Sequence, residues 1–542
     1  VVGDEIMYET LNIAVAGDAR QCARLAELIC EWLAEKGFEN SGGDSYKLTL
    51  KFDPSVDREG YVFAPSERGG QISASCLSGL YAGAGHFLLG SRIYGKKLRP
   101  PEKHMESAPK KSVRGIYFAT HFHNFYHDAP VCRVKRYVEE LSLWGYNMLT
   151  VWFDMHHYTG MDDPEAKEMV SRLRLILEAA RVSGMKLCLG VLANEGFSGT
   201  PDELKADWRA GQNGYHAEPM GHYHVEICPN SPGGMEQIIK NREEVCEAFR
   251  GVDFEYIWLW PYDQGGCTCE KCSPWGARGF LKTSRLVADA CRKYSSCKFI
   301  MSLWYFDNFI KGETEAFKKA FANDDGYVSY ILCEPHHQSG ELPAHDREIC
   351  GLGIVGFPEI SMYGASPWGG FGANPIPQRI RHIWDIEKAE MQGGFPYSEG
   401  IYEDINKYII SRLYWHGDYD ANAAMEEYAG AYFGGGCAGE IAAALAEMEK
   451  TLPRQMTPDG AALQNPAFCR EIYSRIAKCD SAISPAARAS WRWRIIYLRA
   501  LIDNELSSNN FAKRQICKEA YSELIGIYHA QNADPWVRPP LQ

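Results

Sequence analysis

The sequence predicts an α/β protein in three parts: an N-terminal α/β domain (1–108), a central (β/α)8 or TIM barrel (109–417) and a C-terminal all-helical domain (418–542). Three observations predict it. Eight short apolar or alternating runs occur within about 300 residues, most followed by a helical pattern, as a closed parallel sheet requires when each strand returns through a crossover. A smaller strand-and-helix set precedes them and ends in "GKKLRPPEKHMESAPKK". After "YWHGDYDANAA" the strand signals stop and helical periodicity takes over.

In the first part, "LNIAVAG", "KLTLKF", "GYVFAPS" and "QISASC" read as strands, and "QCARLAELICEWLAEKG" and "LSGLYAGAGHFLLGSRIY" as amphipathic helices. The barrel strands are "RGIYFATHF", "NMLTVWFDM", "KLCLGVLANE", "EYIWLWPYD", "KFIMSLWYF", "YVSYILCEP", "IVGFPEISM" and "GGFPYSEG". Their crossovers include "VCRVKRYVEELSLWG", "DPEAKEMVSRLRLILEAARVSG", "GGMEQIIKNREEVCEAFRG", "FLKTSRLVADACRKY" and "TEAFKKAFAN". The third part carries "MEEYAGAYFGG", "EIAAALAEMEKTL", "FCREIYSRIAKCDSAI", "PAARASWRWRIIYLRALIDNEL" and "KEAYSELIGIYHAQ".

A chain of 542 residues is too long for one ordinary core, so several domains are expected. The net charge of -13 is spread over both signs without blocks, which argues against a nucleic-acid footprint and against a polybasic membrane patch. No window reaches the roughly 18 apolar residues of a membrane span. The opening residues lack a charged region followed by an apolar one. Eighteen scattered cysteines, several in apolar patterns (Cys22, Cys30, Cys188, Cys246, Cys291, Cys333), read as small hydrophobes in a reducing compartment. The expectation is a cytoplasmic protein, or a secreted one whose signal has been removed.

In a (β/α)8 barrel the chemistry gathers at the C-terminal ends of the strands. Those ends deliver His121, His123 and Asn124; Asp154, His156 and His157; Asn194 and Glu195; Tyr262, Asp263 and Gln264; Trp304, Tyr305 and Asp307; Glu334 and His336; Glu359 and Tyr363; and Tyr397, Glu399, Glu403 and Asp404. Carboxylates among tryptophans and tyrosines suit a sugar, whose ring faces stack on aromatics while its hydroxyls bond to acids and amides. Glycoside hydrolysis typically uses two carboxyl groups, one protonated as acid and one ionised. We therefore expect Asp263 as general acid, Glu399 as its partner and Glu359 in reserve for either role. Substrate contacts are expected from His121, His123, Trp152, Glu195, Trp260, Tyr262, Gln264, Trp304, Glu334, His336, Trp368, Tyr397 and Asp404. Structural roles compete: Asp263 suits a cap of the turn before Gly265, and Glu399 suits the acidic start of a helix.

Cys267, Cys269 and Cys272 form C-x-C-x-x-C just after the fourth strand, and Cys228 lies in the long loop after the third. Four thiolates would complete a tetrahedral zinc site bracing one loop against the other. A disulfide plus free thiols, or uncoordinated thiols, are the readings this spacing leaves open. No catalytic cofactor is expected, since four sulfurs leave zinc no open position for water.

The order of an N-terminal module ending in "ISASCLSGLYAGAGHFLL", a barrel beginning "RGIYF" and a helical tail resembles barrel glycoside hydrolases of families 20 and 67. The segments "ICPNSP", "YDQGGCTCEKC" and "YSEGIYEDINKYIISRLYW" resemble the set that includes the family 163 endo-β-N-acetylglucosaminidases. Resemblance to families 20 and 163 implies cleavage beside an N-acetylglucosamine-type sugar, with the substrate's acetamido group as nucleophile. Family 20 has adjacent Asp and Glu after strand four, and the matching positions here are Asp263 and Gln264. Glutamine cannot act as the acid, so that mechanism does not transfer unchanged. Resemblance to family 67 implies inverting α-glucuronidase chemistry, with the acid at strand four and bases on later strands; Asp263 with Glu359 or Glu399 suits that pattern, and the histidines suit a uronate carboxylate. A non-catalytic carbohydrate-binding barrel is the reading from another class.

Overall fold

The computed structural model describes residues 6–17, 19–121, 123–206, 225–261, 266–304, 306–307, 311–322, 326–333, 348–349, 351–361, 372–451, 455–457, 460–462, 466–509 and 514–532. The N-terminal part is a five-stranded sheet of β1 (Thr10–Ala16), β2 (Ser45–Phe52), β3 (Tyr61–Ser66), β4 (Gly69–Ala74) and β7 (Met105–Ser107), in the order β1-β2-β4-β3-β7. Helices α1 (Ala19–Glu35) and α2 (Leu77–Gly90) complete it. The helical pattern extending through "SRIY" stops at Ser91, whose extended backbone leads into a hairpin of β5 (Arg92–Tyr94) and β6 (Lys97–Arg99).

Eight parallel strands then close a barrel: β8 (Val113–Phe118), β9 (Met148–Trp152), β10 (Lys186–Leu192), β11 (Phe254–Trp260), β12 (Lys298–Ser302), β13 (Val328–Cys333), β15 (Leu352–Gly356) and β16 (Met391–Gly394). Pairing of β16 with β8, at Gly393↔Val113, completes the ring. The eighth strand resumes as β17 (Tyr397–Ser398) against Tyr117 and Phe118. A two-residue β14 (Glu348–Ile349) pairs antiparallel with β15. Around the barrel run α3 (Phe125–Asp128), α4 (Val131–Leu143), α5 (Pro164–Val182), α6 (Gly234–Ala248), α7 (Leu281–Arg292), α8 (Glu313–Phe321), α9 (Pro377–Glu387) and α10 (Asp404–His416).

The period-two pattern of each strand sends alternate residues inward. On β11, Tyr256, Trp258 and Trp260 face the interior, while Ile257 and Leu259 pack towards the helices. So many aromatic rings fit because glycines stand beside them on neighbouring strands. A Cβ on Gly190 would lie 2.6 Å from the Trp152 ring, and one on Gly115 would lie 2.0 Å from Phe395.

The C-terminal part comprises α11 (Ala421–Phe433), α12 (Ala438–Met448), α13 (Pro466–Ala482), α14 (Pro485–Ala489), α15 (Trp491–Ser508) and α16 (Gln515–Tyr528), with one small hairpin of β18 (Gln455–Thr457) and β19 (Gly460–Ala462). The single helix suggested by "PAARASWRWRIIYLRALIDNEL" is two, because Ser490 adopts an extended backbone and caps α15 through its hydroxyl.

Candidate active site

The described mouth of the barrel has an aromatic floor and a carboxylate rim. Trp260 is packed 5.3 Å from Trp304 and 5.1 Å from Phe357, ring centre to ring centre. Tyr117 stacks on Tyr397 at 5.5 Å and on Trp258 at 5.6 Å. Trp152 meets Trp260 edge to face and lies 6.4 Å from the imidazole of His121. The expected contacts Trp152, Trp260, Trp304, Tyr397 and His121 are thus brought together.

Glu359 and Glu399 sit on neighbouring strand ends, for Glu359 bridges in parallel to Tyr397, two residues before Glu399. Both are buried. The Ser361 amide donates to Glu359 Oε1 at 2.5 Å, and the Tyr397 hydroxyl donates to Glu399 Oε1. The Glu399 amide donates to Glu403 Oε1 at 3.0 Å, fixing the turn from which the Glu399 side chain leaves. Glu403 also accepts from the Ser398 hydroxyl and lies 3.4 Å from the ammonium of Lys407, itself wholly buried. Lys407 donates to the hydroxyls of Tyr126 and Tyr137, each at 2.9 Å, and to the Gly400 carbonyl. Burial pushes the Glu403 carboxyl up and the Lys407 ammonium down, each opposed by the other's charge. Sequence reading passed over Lys407 and Ser398; the available signal was Lys407 four residues after Glu403 on one helix face.

Asp404 is not at the mouth. Its carboxylate accepts from Tyr137 (2.7 Å), Tyr428 (2.6 Å) and Arg492 Nε (2.7 Å), inside the seam between α4 and the C-terminal helices. The reason is helical phase: α10 begins at Asp404 and turns this side chain outward, away from Glu399. Glu195 is likewise committed to the protein, accepting from the Met155 amide at 2.7 Å and lying 3.7 Å from Arg242 in a buried pair.

A histidine cluster flanks the mouth. His123 stacks on His127 at 4.1 Å, with His157 6.2 Å away, and His123 Nδ1 lies 3.2 Å from Asp128. His123 has φ 48°, a left-handed conformation uncommon for a residue with a Cβ, at a point where strain often accompanies function. Burial, then the facing imidazole of His123, depresses the His127 pKa to about 3, so the ring is neutral at pH 7. Burial also lowers that of His157.

The four expected zinc ligands also converge, for Cys228, Cys267, Cys269 and Cys272 place their sulfurs within 4.8 Å of one another. Asp263, Tyr262, Gln264, Glu334, His336 and Trp368 lie outside the described residues.

No protein-family model matches this chain, and no curated protein matches it. Among solved structures, an inactive mutant of a family 20 exo-β-N-acetylglucosaminidase from Vibrio harveyi is similar, at 15% identity over 79% of this chain and 74% of that one, with a TM-score of 0.54. A family 115 4-O-methyl-α-glucuronidase with specificity for decorated arabinogalactans matches 98% of this chain and 78% of its own, at 11% identity and TM-score 0.58. A family 138 enzyme targeting pectin rhamnogalacturonan II matches 95% of this chain and 74% of its own, at 12% identity and TM-score 0.58. At such identities the likeness is one of fold: this chain shares its barrel architecture with glycoside hydrolases of several families.

Proposed function

We propose that the protein is a glycoside hydrolase that cleaves a glycosidic bond at the C-terminal mouth of its barrel, next to an N-acetylhexosamine-type sugar. The observation that carries this reading is the pair Glu359 and Glu399, two buried carboxylates on adjacent strand ends beside an indole-lined floor. Asp263, one residue after Tyr262 at the end of the fourth strand signal, is the proposed acid that protonates the leaving oxygen. Glu399, oriented by the Tyr397 hydroxyl, is its ionised partner, and Glu359 stands in reserve. Trp260 and Trp304 offer faces for the sugar rings.

A second reading, an inverting α-glucuronidase-like hydrolase, is favoured by the histidine cluster. His127, neutral and accepting from the His123 amide through Nδ1, keeps its Nε2–H as a donor suited to a uronate carboxylate, with the rings of His123 and His157 beside it.

Hydrolysis of an aryl-glycoside panel by the parent, Asp263→Asn and Glu399→Gln tests both. The expected result is release from an N-acetyl-β-hexosaminide by the parent and a loss of about 10²-fold or more in each variant. Release from a glucuronide alone transfers the assignment to the second reading. Sugar binding without release from any substrate would make the barrel a carbohydrate-binding protein.

A further inference from the structure

We propose that Cys228, Cys267, Cys269 and Cys272 bind one structural zinc ion that locks the loop after β10 to the loop after β11. Zinc held by four thiolates at about 2.3 Å in tetrahedral geometry separates its sulfurs by about 3.8 Å. Here Cys228 Sγ lies 3.8 Å from Cys269 Sγ and 3.9 Å from Cys272 Sγ, and all four sulfurs fall within 4.8 Å of one another. Those separations are nearly twice the roughly 2.05 Å of a disulfide. Three of the four side chains are buried and the fourth is half-buried, so water is largely kept from the centre. Asn230 Nδ2 donates to Cys272 Sγ at 3.0 Å, an amide contact of the kind that orients a metal-bound thiolate.

The chain around the cluster shows what the ion would secure. Cys228 follows Ile227 on one arm, and Cys267 follows Gly266 on the other. One side chain at the end of β10 binds both arms immediately before their sulfurs: Asn194 Nδ2 donates to the Ile227 and Gly266 carbonyls, each at 3.0 Å. Trp275, three residues beyond Cys272, donates its indole N–H to the Pro261 carbonyl at 2.6 Å, so the opposite end of the β11 loop is also tied to this subdomain. Gly266 has φ 112°, and a Cβ there would fall 2.3 Å from the Trp275 ring, so the arm passes flat against the indole. Asn194 and the four cysteines therefore form a two-point clamp, and the zinc supplies the point that side-chain hydrogen bonds do not.

The metal assignment does not rest on the hydrolase reading above. The test is elemental analysis of the full-length protein purified under reducing conditions without added metal, together with native mass spectrometry. One zinc per chain is expected, falling below one tenth in Cys228→Ser and Cys269→Ser. Because those variants can fail to fold, the parent is also exchanged with cobalt, which should give the ligand-field and thiolate charge-transfer absorption of a tetrahedral tetrathiolate site. Asn194→Ala should retain zinc while its thermal midpoint falls. Parent protein without metal whose four thiols react freely, iron in place of zinc, or a mass showing the cysteines oxidised in pairs would each overturn the assignment. A zinc-loaded protein that hydrolyses no glycoside would leave the clamp standing and remove only the hydrolase reading.

Discussion

At the scale of single residues, Glu399 is held by short-range contacts that leave its carboxylate little freedom. One oxygen accepts from Tyr397, and the amide behind it donates to Glu403, whose own charge is partnered by Lys407. Replacing Glu399 by Gln keeps the shape and removes the ionised form. The expected outcome is a loss of about 10²- to 10⁴-fold in kcat with an unchanged thermal midpoint, measured on whichever aryl glycoside the parent hydrolyses. Lys407→Met separates positioning from catalysis. Lys407 is wholly buried, and its loss leaves Glu403 buried without a counter-charge, which costs about 3–5 kcal/mol and favours the protonated carboxyl. The turn carrying Glu399 then loosens, and kcat should fall together with stability. A variant as stable as the parent with undiminished kcat would show that this buried pair does not govern Glu399.

At the scale of elements, Gly393 shows how closure of the ring depends on one backbone position. It pairs with Val113 where β16 meets β8, has φ 118°, and a Cβ there would stand 1.7 Å from the Val113 carbonyl oxygen. Gly393→Ala should lower stability by about 2–4 kcal/mol in urea titration, whereas Gly436→Ala, with open space around it, should stay within about 0.5 kcal/mol. The strands were the most legible elements. All eight barrel strands coincide with apolar runs in the sequence, because inward and outward faces are both largely buried and most positions are apolar or small, with Lys186, Glu255, Lys298 and Gln392 confined to the first two positions of their strands. Interruptions were less legible: Ser490 splits one helix into two, and the linker before the barrel contains β7, which adds to the N-terminal sheet as its edge. Such breaks depend on a single cap or a partner strand distant in sequence. For the site, local order identified which residues end the strands, including Glu359 and Glu399. It misassigned Asp404, since whether a carboxylate at the first position of a helix faces the mouth or the seam depends on how α10 packs against α4 and α15.

At the scale of the whole molecule, the barrel and the C-terminal helices share one buried ionic seam. Arg492 from α15 reaches Asp404 (2.7 Å) and Glu140 (3.0 Å), Tyr432 donates to Glu140 at 2.5 Å, and Trp144 donates to the Tyr432 hydroxyl at 3.0 Å. The N-terminal part is tied to the same helix α4, where Arg24 grips the carboxylate of Glu139 with two 2.6 Å contacts. Burial alone would push the Glu140 carboxyl up, but the guanidiniums of Arg492 and Arg136 and the Tyr432 hydroxyl outweigh it and hold its pKa at about 2, against 4.5 for an ordinary glutamate. Because the folded value is the lower one, the unfolded chain takes up this proton first on acidification. The stabilisation is complete above about pH 4.5 and is lost as pH falls through about 2, on the order of 3 kcal/mol in all. Arg492→Met removes the largest charge holding Glu140 down, so the folded pKa rises, with Arg136 and the Tyr432 hydroxyl still opposing burial. The variant should be about 3–5 kcal/mol less stable at pH 7, because Asp404 is left buried without Arg492 and Glu140 keeps only the guanidinium of Arg136, 4.0 Å away. Its decline on acidification should also be shallower between pH 4.5 and 2.5 than the parent's, since protonating Glu140 would weaken the fold less. Urea midpoints across that range for both proteins measure the difference directly. Parallel curves would mean that the seam's carboxylates do not depend on Arg492, and that the C-terminal helices are held to the barrel by their apolar contacts alone.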